Sequence, residues 1–133
     1  CMKFVVGQSY KKKINITENI IESFSKVTGD YNPVHLDEDY AKKTIFKRRI
    51  AHGFLIGSFI SAALGNYFPG AGTIYLSQSM KFLKPVYIND EIMVKLEILE
   101  IYNVRRAVIK TDCLNHDNQL ILDGMAKVIL PID

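Results

Sequence analysis

An aspartate and a histidine lie five residues apart in a short stretch that also holds an asparagine and a proline. Residues 28–35 read TGDYNPVH, with Asp30 and His35 on either side of Asn32 and Pro33. A carboxylate and an imidazole held at a set separation can act as a general acid/base pair. Pro33 fixes its own φ and keeps Asn32 out of the helical region, which predicts a constrained loop. The structural alternative is a capped turn with an exposed histidine.

Gly53 is a second candidate, because it follows His52 at the start of a long apolar segment. The first backbone N–H groups of a helix are unpaired donors with partial positive charge, and glycine lets a ligand oxygen come close to them. Such a donor can stabilise an enolate-like oxyanion. The alternative is that Gly53 only eases a tight entry into the helix.

Nucleophilic and metal chemistry are disfavoured by the spacing of the remaining candidates. Ser61 has no histidine or acid at helical spacing within its segment, so it is predicted to be a small packing residue. The three histidines, His35, His52 and His116, lack the spacing of metal ligands, and we expect no metal site.

The composition is that of one globular domain, predicted over residues 2–133. Apolar residues make up 48% of the 133 positions and charged residues 23%. The net charge is +3, and the basic clusters 11–13 and 47–49 lack interleaved aromatic residues. We interpret both clusters as solvated faces and expect no nucleic-acid partner.

The two cysteines, Cys1 and Cys113, are too few for a disulfide framework, so we expect a reducing, cytoplasmic location. Cys1 precedes Met2, which is predicted to be the natural start, and we interpret Cys1 as a leftover of cloning.

Several elements must position these residues. A strand is predicted over residues 8–16, with the lysines at 11–13 facing water. Thr17 is predicted to cap a helix that ends at Gly29 and therefore leads directly into the Asp30 loop. A short helix is predicted to follow Asp37.

Residues 54–67 form the most apolar segment, which predicts a helix apolar nearly all round and enclosed by other elements. The segment is too short and too polar to span a bilayer. Period-2 patterns then predict four strands, with a bulge near Ile98, over residues 73–83, 91–101, 105–114 and 119–130. The order predicts an α+β fold in which a curved antiparallel sheet wraps around a long central helix.

The run from Phe24 to His35, followed after five intervening residues by Ala41, closely resembles the signature of the (R)-specific enoyl-CoA hydratases. These form the hydratase-2 or MaoC-like branch of the hot-dog superfamily. The resemblance continues through residues 50–53 and 69–76, and at Phe82, 85–86 and 90–91. It implies a hot-dog fold and a homodimer with the active site at the subunit interface.

The resemblance also implies roles for individual residues. Asp30 and His35 would activate the water that adds across the trans-2 double bond of a short or medium enoyl-CoA, giving (R)-3-hydroxyacyl-CoA. The Gly53 N–H would hold the thioester oxygen, Ser61 would lie beside the catalytic pair, and Asn32 would support the loop. No cofactor is expected, since CoA is part of the substrate.

One departure from the family concerns the residues before His52. The family commonly has Arg-Pro there, whereas this chain has Arg48 and Arg49. We expect a less rigid segment and an added charge near the cleft. The candidates for contacting the CoA phosphates are the 47–49 cluster, or Lys81 and Lys84.

Three alternative functions remain open. A dehydratase could use the same residues on thioesters of acyl carrier protein or on 3-hydroxybutyryl-CoA. A hot-dog thioesterase needs a carboxylate on the central helix, and residues 54–67 contain none. A non-catalytic acyl-CoA-binding module would not need Asp30 and His35 together.

Overall fold

The computed structural model describes residues 3–132, so the interpretations of Cys1 and Met2, and the last residue of the predicted domain, lie outside the described residues. Within that range the chain forms one antiparallel sheet of five strands in the order β1-β3-β4-β5-β2. The elements are β1 (Ser9–Asn15), α1 (Glu18–Thr28), α2 (Pro33–Leu36), α3 (Glu38–Lys42), α4 (Gly53–Asn66), β2 (Ile74–Phe82), β3 (Glu91–Tyr102), β4 (Arg106–Asn115) and β5 (Leu120–Ile129).

The core lies between α4 and one face of the sheet. Alternate residues of β3 and β4 point to this face, as period-2 patterning requires, and the buried side of α4 covers it. The helix contributes Leu55, Ile56, Ile60, Ala63 and Leu64 to this core. The predicted α+β arrangement and all five predicted strands are confirmed.

The predicted bulge is present in β3. The pairing register between β3 and β4 shifts between Ile98 and Glu100, which leaves Leu99 as the extra residue. Ile98 is fully buried while Leu99 is exposed, and Ile101 packs again against the core. The extra residue explains why the apolar positions change phase along this strand.

The lysines of β1 do not all face water, contrary to the prediction. Lys11 and Lys13 are exposed, but the Lys12 ammonium lies 4.1 Å from the centroid of the Tyr67 ring. Successive side chains of a strand point to opposite faces, so three consecutive lysines cannot share one environment. Lys12 therefore covers the ring through a cation–π contact.

Helix α4 is enclosed on one side only within the single chain. Phe54 and Tyr67 are exposed, as are Ser58, Ser61 and Ala62 on the side away from the sheet. Strand β2, at one edge of the sheet, also exposes Ile74 and Leu76. None of the helices within residues 3–132 has the length and apolar character needed to cross a membrane.

Candidate active site

The loop that carries the predicted catalytic pair begins where α1 ends. Thr17 caps the start of α1, with its Oγ1 accepting from the Ile20 N–H at 3.2 Å. At the other end Gly29 adopts φ 77°, a left-handed conformation that glycine takes without steric cost. Its N–H donates to the Ser25 carbonyl at 2.8 Å. Both predicted helix ends are therefore confirmed, and the chain turns sharply into Asp30.

Three side chains then support the loop, each accepting from the backbone two residues further on. Thr28 Oγ1 accepts from the Asp30 N–H at 3.2 Å, and Asp30 Oδ1 accepts from the Asn32 N–H at 3.2 Å. Asn32 Oδ1 accepts from the Val34 N–H at 3.3 Å and caps α2, whose first residue is Pro33. These are the turns that Asp, Asn and Thr favour. The loop is constrained, as the sequence predicts.

His35 is buried, with 7% of its surface exposed, so the interpretation of an exposed ring is wrong. Its Nδ1 lies 2.7 Å from the Ile50 carbonyl oxygen, which can only accept. Nδ1 therefore carries the hydrogen in the neutral ring. The other nitrogen, Nε2, then has a free lone pair, which is the form that a general base requires.

The structure brings Asp30 and His35 together. One carboxylate oxygen of Asp30, one ring nitrogen of His35 and one of His52 all lie within 4.8 Å of one another. That separation allows one water molecule to contact both Asp30 and His35. Asp30 remains exposed and lines the neighbouring cleft, so the pair combines a buried imidazole with an accessible carboxylate.

His52 is the residue whose role the sequence reasoning missed. Its ring is only 2% exposed and stacks on the His35 ring, with centroids 3.9 Å apart. Nε2 lies 3.2 Å from the Asp30 carbonyl oxygen and 3.0 Å from Ser25 Oγ. Since the carbonyl only accepts, Nε2 carries the hydrogen and donates to the backbone of Asp30.

The second ring nitrogen of His52, Nδ1, is buried and has no hydrogen-bond partner among the described residues. Burial lowers the pKa of His52, and the neighbouring His35 lowers it further. The ring is therefore neutral at neutral pH. The signal in the sequence was only indirect: His52 occupies the N-cap position of α4, where short polar residues are preferred, and its side chain makes no cap hydrogen bond there.

The cluster of Asp30, His35 and His52 does not have the arrangement of metal ligands. The two imidazole planes are only 28° apart and lie face to face. Each nitrogen lone pair lies in its own ring plane, so an ion bound by both stacked rings would lie out of at least one of these planes, which is poor geometry for a nitrogen ligand.

A cleft of about 520 Å³ opens beside the cluster. Asp30, His52 and Gly53 line its polar end, and Lys84 is its one lysine among the described residues. Gly53 is the first residue of α4, where the N–H has no acceptor within the helix. The other wall residues are mainly apolar: Phe46, Ile50, Ala51, Phe54, Ile56, Phe82, Leu83, Pro85, Val86, Ile121 and Leu122.

The remaining predicted residues lie at different distances from the cluster. Asn32 supports the loop, and its role in substrate binding stays a prediction. Ser61 follows Gly53 by eight residues, or about 12 Å along the helix axis at the usual rise. It is exposed and does not line the cleft, so its place beside the pair also stays a prediction.

Known proteins resemble this chain over nearly its whole length. Residues 3–118 match the family described as MaoC like domain. A 3-hydroxybutyryl-CoA dehydratase of Methylorubrum extorquens is 39% identical over 126 residues, 95% of this chain and 80% of the relative. An (R)-specific enoyl-CoA hydratase of Rhodospirillum rubrum is 38% identical over 125 residues, 94% and 87% of the two chains.

A solved structure agrees with the predicted fold. The unliganded R-hydratase of Pseudomonas aeruginosa superposes with a TM-score of 0.95 and 42% identity, covering 98% of this chain and 84% of that one. The sheet and helix thus define an α+β protein with the hot-dog fold. Together with the match over residues 3–118, the relatives show that the chain belongs to the MaoC-like family.

Proposed function

We propose that the protein is a hydro-lyase that reversibly adds water to short and medium trans-2-enoyl-CoA, giving (R)-3-hydroxyacyl-CoA. The observation that carries the proposal is the Asp30–His35 pair, whose ligand atoms lie within 4.8 Å of one another, with Asp30 lining a mainly apolar cleft and His35 buried behind it. The names of the two relatives, an enoyl-CoA hydratase and a 3-hydroxybutyryl-CoA dehydratase, describe the two directions of this chemistry.

The chemistry requires one water molecule and one proton path. The water donates one hydrogen bond to His35 Nε2 and one to the free oxygen of the Asp30 carboxylate. As the water oxygen forms the new bond to C3, its O–H bond toward His35 breaks, and the other hydrogen stays on the 3-hydroxyl group. The C2–C3 double bond becomes single, and the pair delivers the released proton to C2 on the same face. No net proton is gained or lost, so the reaction needs no cofactor beyond the CoA of the substrate.

Negative charge develops on the thioester oxygen during this addition. The Gly53 N–H, unpaired at the start of α4, donates to that oxygen and lowers the barrier. The acyl chain lies along the apolar wall of the cleft. Of the basic candidates, Lys84 is the one that lines the cleft, and we assign it to the CoA phosphates.

The proposed active form is a homodimer. The open side of α4 and the exposed residues of β2 form an apolar surface beside an unpaired sheet edge. A second copy covers this surface by pairing β2 with its own β2, and Ser61 lies within the same surface. Sedimentation at several concentrations tests this, because a purely monomeric species would contradict it.

Hydration of crotonyl-CoA, followed by loss of the enoyl-thioester absorbance, tests the catalytic roles. Asp30→Asn and His35→Ala should each lower turnover by roughly 10²-fold or more, the scale of general acid/base groups. The matched controls are Asp117→Asn and His116→Ala, an exposed pair in the β4–β5 turn. Near-normal turnover in the first two variants contradicts the assigned roles.

Three further measurements address the alternatives. Comparing CoA with acyl-carrier-protein thioesters identifies the carrier, and a C4 to C12 series gives the chain-length preference. Release of free CoA from a saturated acyl-CoA would instead indicate a thioesterase.

The proposed location is the cytoplasm, where a free thiol such as buried Cys113 stays reduced, and imaging the tagged full-length chain tests it.

A further inference from the structure

Arg49 connects the loop of the proposed catalytic pair to helix α1. Its side chain is largely buried, with 11% exposed. Nε donates to the His35 carbonyl oxygen at 2.8 Å, and one terminal nitrogen donates to Glu18 Oε1 at 2.7 Å. The guanidinium therefore bridges the first turn of α1 and the short helix α2. Arg49 does not itself line the cleft, although the next residue, Ile50, does, so the expected added charge near the cleft stays a prediction.

Ile50, the residue after Arg49, makes two more hydrogen bonds to the same short helix. The Ile50 N–H donates to the Val34 carbonyl at 3.2 Å, and the Ile50 carbonyl accepts from His35 Nδ1 at 2.7 Å. Ile50 itself is joined to the segment between β2 and β3 through an isolated antiparallel bridge to Tyr87. Residues 49 and 50 thus hold His35 by its main chain and by its ring.

The four-residue helix α2 needs such support. A single turn makes few internal hydrogen bonds, so a helix this short has little stability of its own. The bond between the Ile50 carbonyl and His35 Nδ1 selects the tautomer and holds the ring. The main chain of α2 is held by the Ile50 N–H at Val34 and by Arg49 at the His35 carbonyl, and Arg49 makes the bond to His35 itself.

We propose that Arg49 is a positioning residue for the hydration reaction, acting through His35. Glu18 orients the guanidinium, whose planar group donates to a carboxylate and a carbonyl at once. Lysine carries the same charge, but its three N–H donors lie on one nitrogen, so it does not match two acceptors that Arg49 reaches with two separate nitrogens. The inference rests on the proposed function, since it concerns the placement of the proposed general base.

The test compares Arg49→Met with the matched control Arg48→Met. Arg48 has the same charge, but its guanidinium lies 3.9 Å from the centroid of the Tyr87 ring instead of bonding α2. Arg49→Met should lower kcat for crotonyl-CoA roughly 10- to 100-fold, as misplacement of a catalytic group by an ångström does, with KM nearly unchanged. Arg48→Met should keep wild-type kcat. Glu18→Gln retains both arginines and should lower kcat less than Arg49→Met.

A double variant separates positioning from loss of fold. If Arg49 acts through His35, Arg49→Met should have no further effect on the residual rate of His35→Ala. A general loss of folded protein would lower both rates by the same factor. An equal decrease in the two backgrounds, or a rise in KM with kcat unchanged, would overturn the proposal.

Ring spectroscopy gives a readout that does not depend on turnover. Long-range proton–nitrogen NMR spectra should report the Nδ1–H form of His35 in the wild type and in Arg48→Met, and a mixture of the two forms in Arg49→Met. Unchanged His35 signals in Arg49→Met overturn the positioning role. If His35→Ala has wild-type turnover, the proposed function fails instead, and the two failures are thereby distinguished.

Discussion

Replacing Gly53 with alanine tests the proposed role of its backbone N–H separately from the stability of α4. A Cβ at this position would lie 3.0 Å from Cε1 of the Phe82 ring, so the ring must shift by a few tenths of an ångström. Phe82 is 51% exposed and has room to do so. Alanine is also a better helix former than glycine, by about 1 kcal/mol at most. The free energy of unfolding should therefore change by less than about 1 kcal/mol.

Activity should respond much more strongly than stability. The thioester oxygen must come within about 3 Å of the Gly53 nitrogen. The added methyl group meets the Phe82 ring, which lines the same cleft, so the methyl group and the displaced ring should hinder that approach. Loss of one oxyanion donor lowers kcat by about 10²- to 10³-fold in enzymes where it has been removed. We expect a decrease of about 10²-fold in kcat for crotonyl-CoA hydration.

The control is Gly65→Ala in the same helix, where a Cβ meets nothing within 4 Å in its own chain, with sedimentation confirming an unchanged oligomeric state. It should keep wild-type kcat. The double variant Gly53→Ala/Phe82→Leu tests whether the displaced ring is responsible, because recovery of kcat would assign the loss to Phe82. A kcat for Gly53→Ala within about threefold of the wild type would refute the proposed hydrogen bond to the thioester.

Two further predictions concern stability. Gly124→Ala would place a Cβ 2.5 Å from both the backbone oxygen and Oγ1 of Thr111. The free energy of unfolding, measured in urea, should therefore decrease by about 2 to 4 kcal/mol. A decrease below about 1 kcal/mol would contradict this packing. The pKa of His52 is lowered in the folded state. As the pH falls below the ordinary value of 6.5, the unfolded chain therefore binds a proton that the folded chain does not, and the free energy of unfolding should decrease. His52→Gln should reduce this fall in urea titrations, and an unchanged slope would refute the assignment to His52.

Local signals predicted most of the fold. The caps at Thr17 and Gly29 and the bulge near Ile98 depend on residues close together in the sequence, and all three are confirmed. The environment of Lys12 was predicted wrongly, because it depends on Tyr67, which lies far away in the sequence at the end of α4. The same limit explains why the open side of α4 was not foreseen within the single chain.

The contacts of the site were also predictable only where they join residues close together in the sequence. The loop that presents Asp30 and His35 was predictable, because its supporting bonds run between neighbours in the sequence. The contacts of His52 and Arg49 were not, since they reach back 22 and 14 residues to the backbone of the loop. No periodicity or spacing rule encodes such contacts.

The three linked turns of the loop have a consequence for how this segment can evolve. Thr28, Asp30 and Asn32 each fix the backbone N–H of the next member or of Val34, so losing one side chain releases the residue that follows it. Asp30 is both a link in this series and the proposed reactive carboxylate. A substitution of Asp30 removes both the reactive carboxylate and the hydrogen bond that fixes the Asn32 N–H. A compensating change elsewhere can restore only one of these two functions. The segment is therefore expected to be inherited as a block.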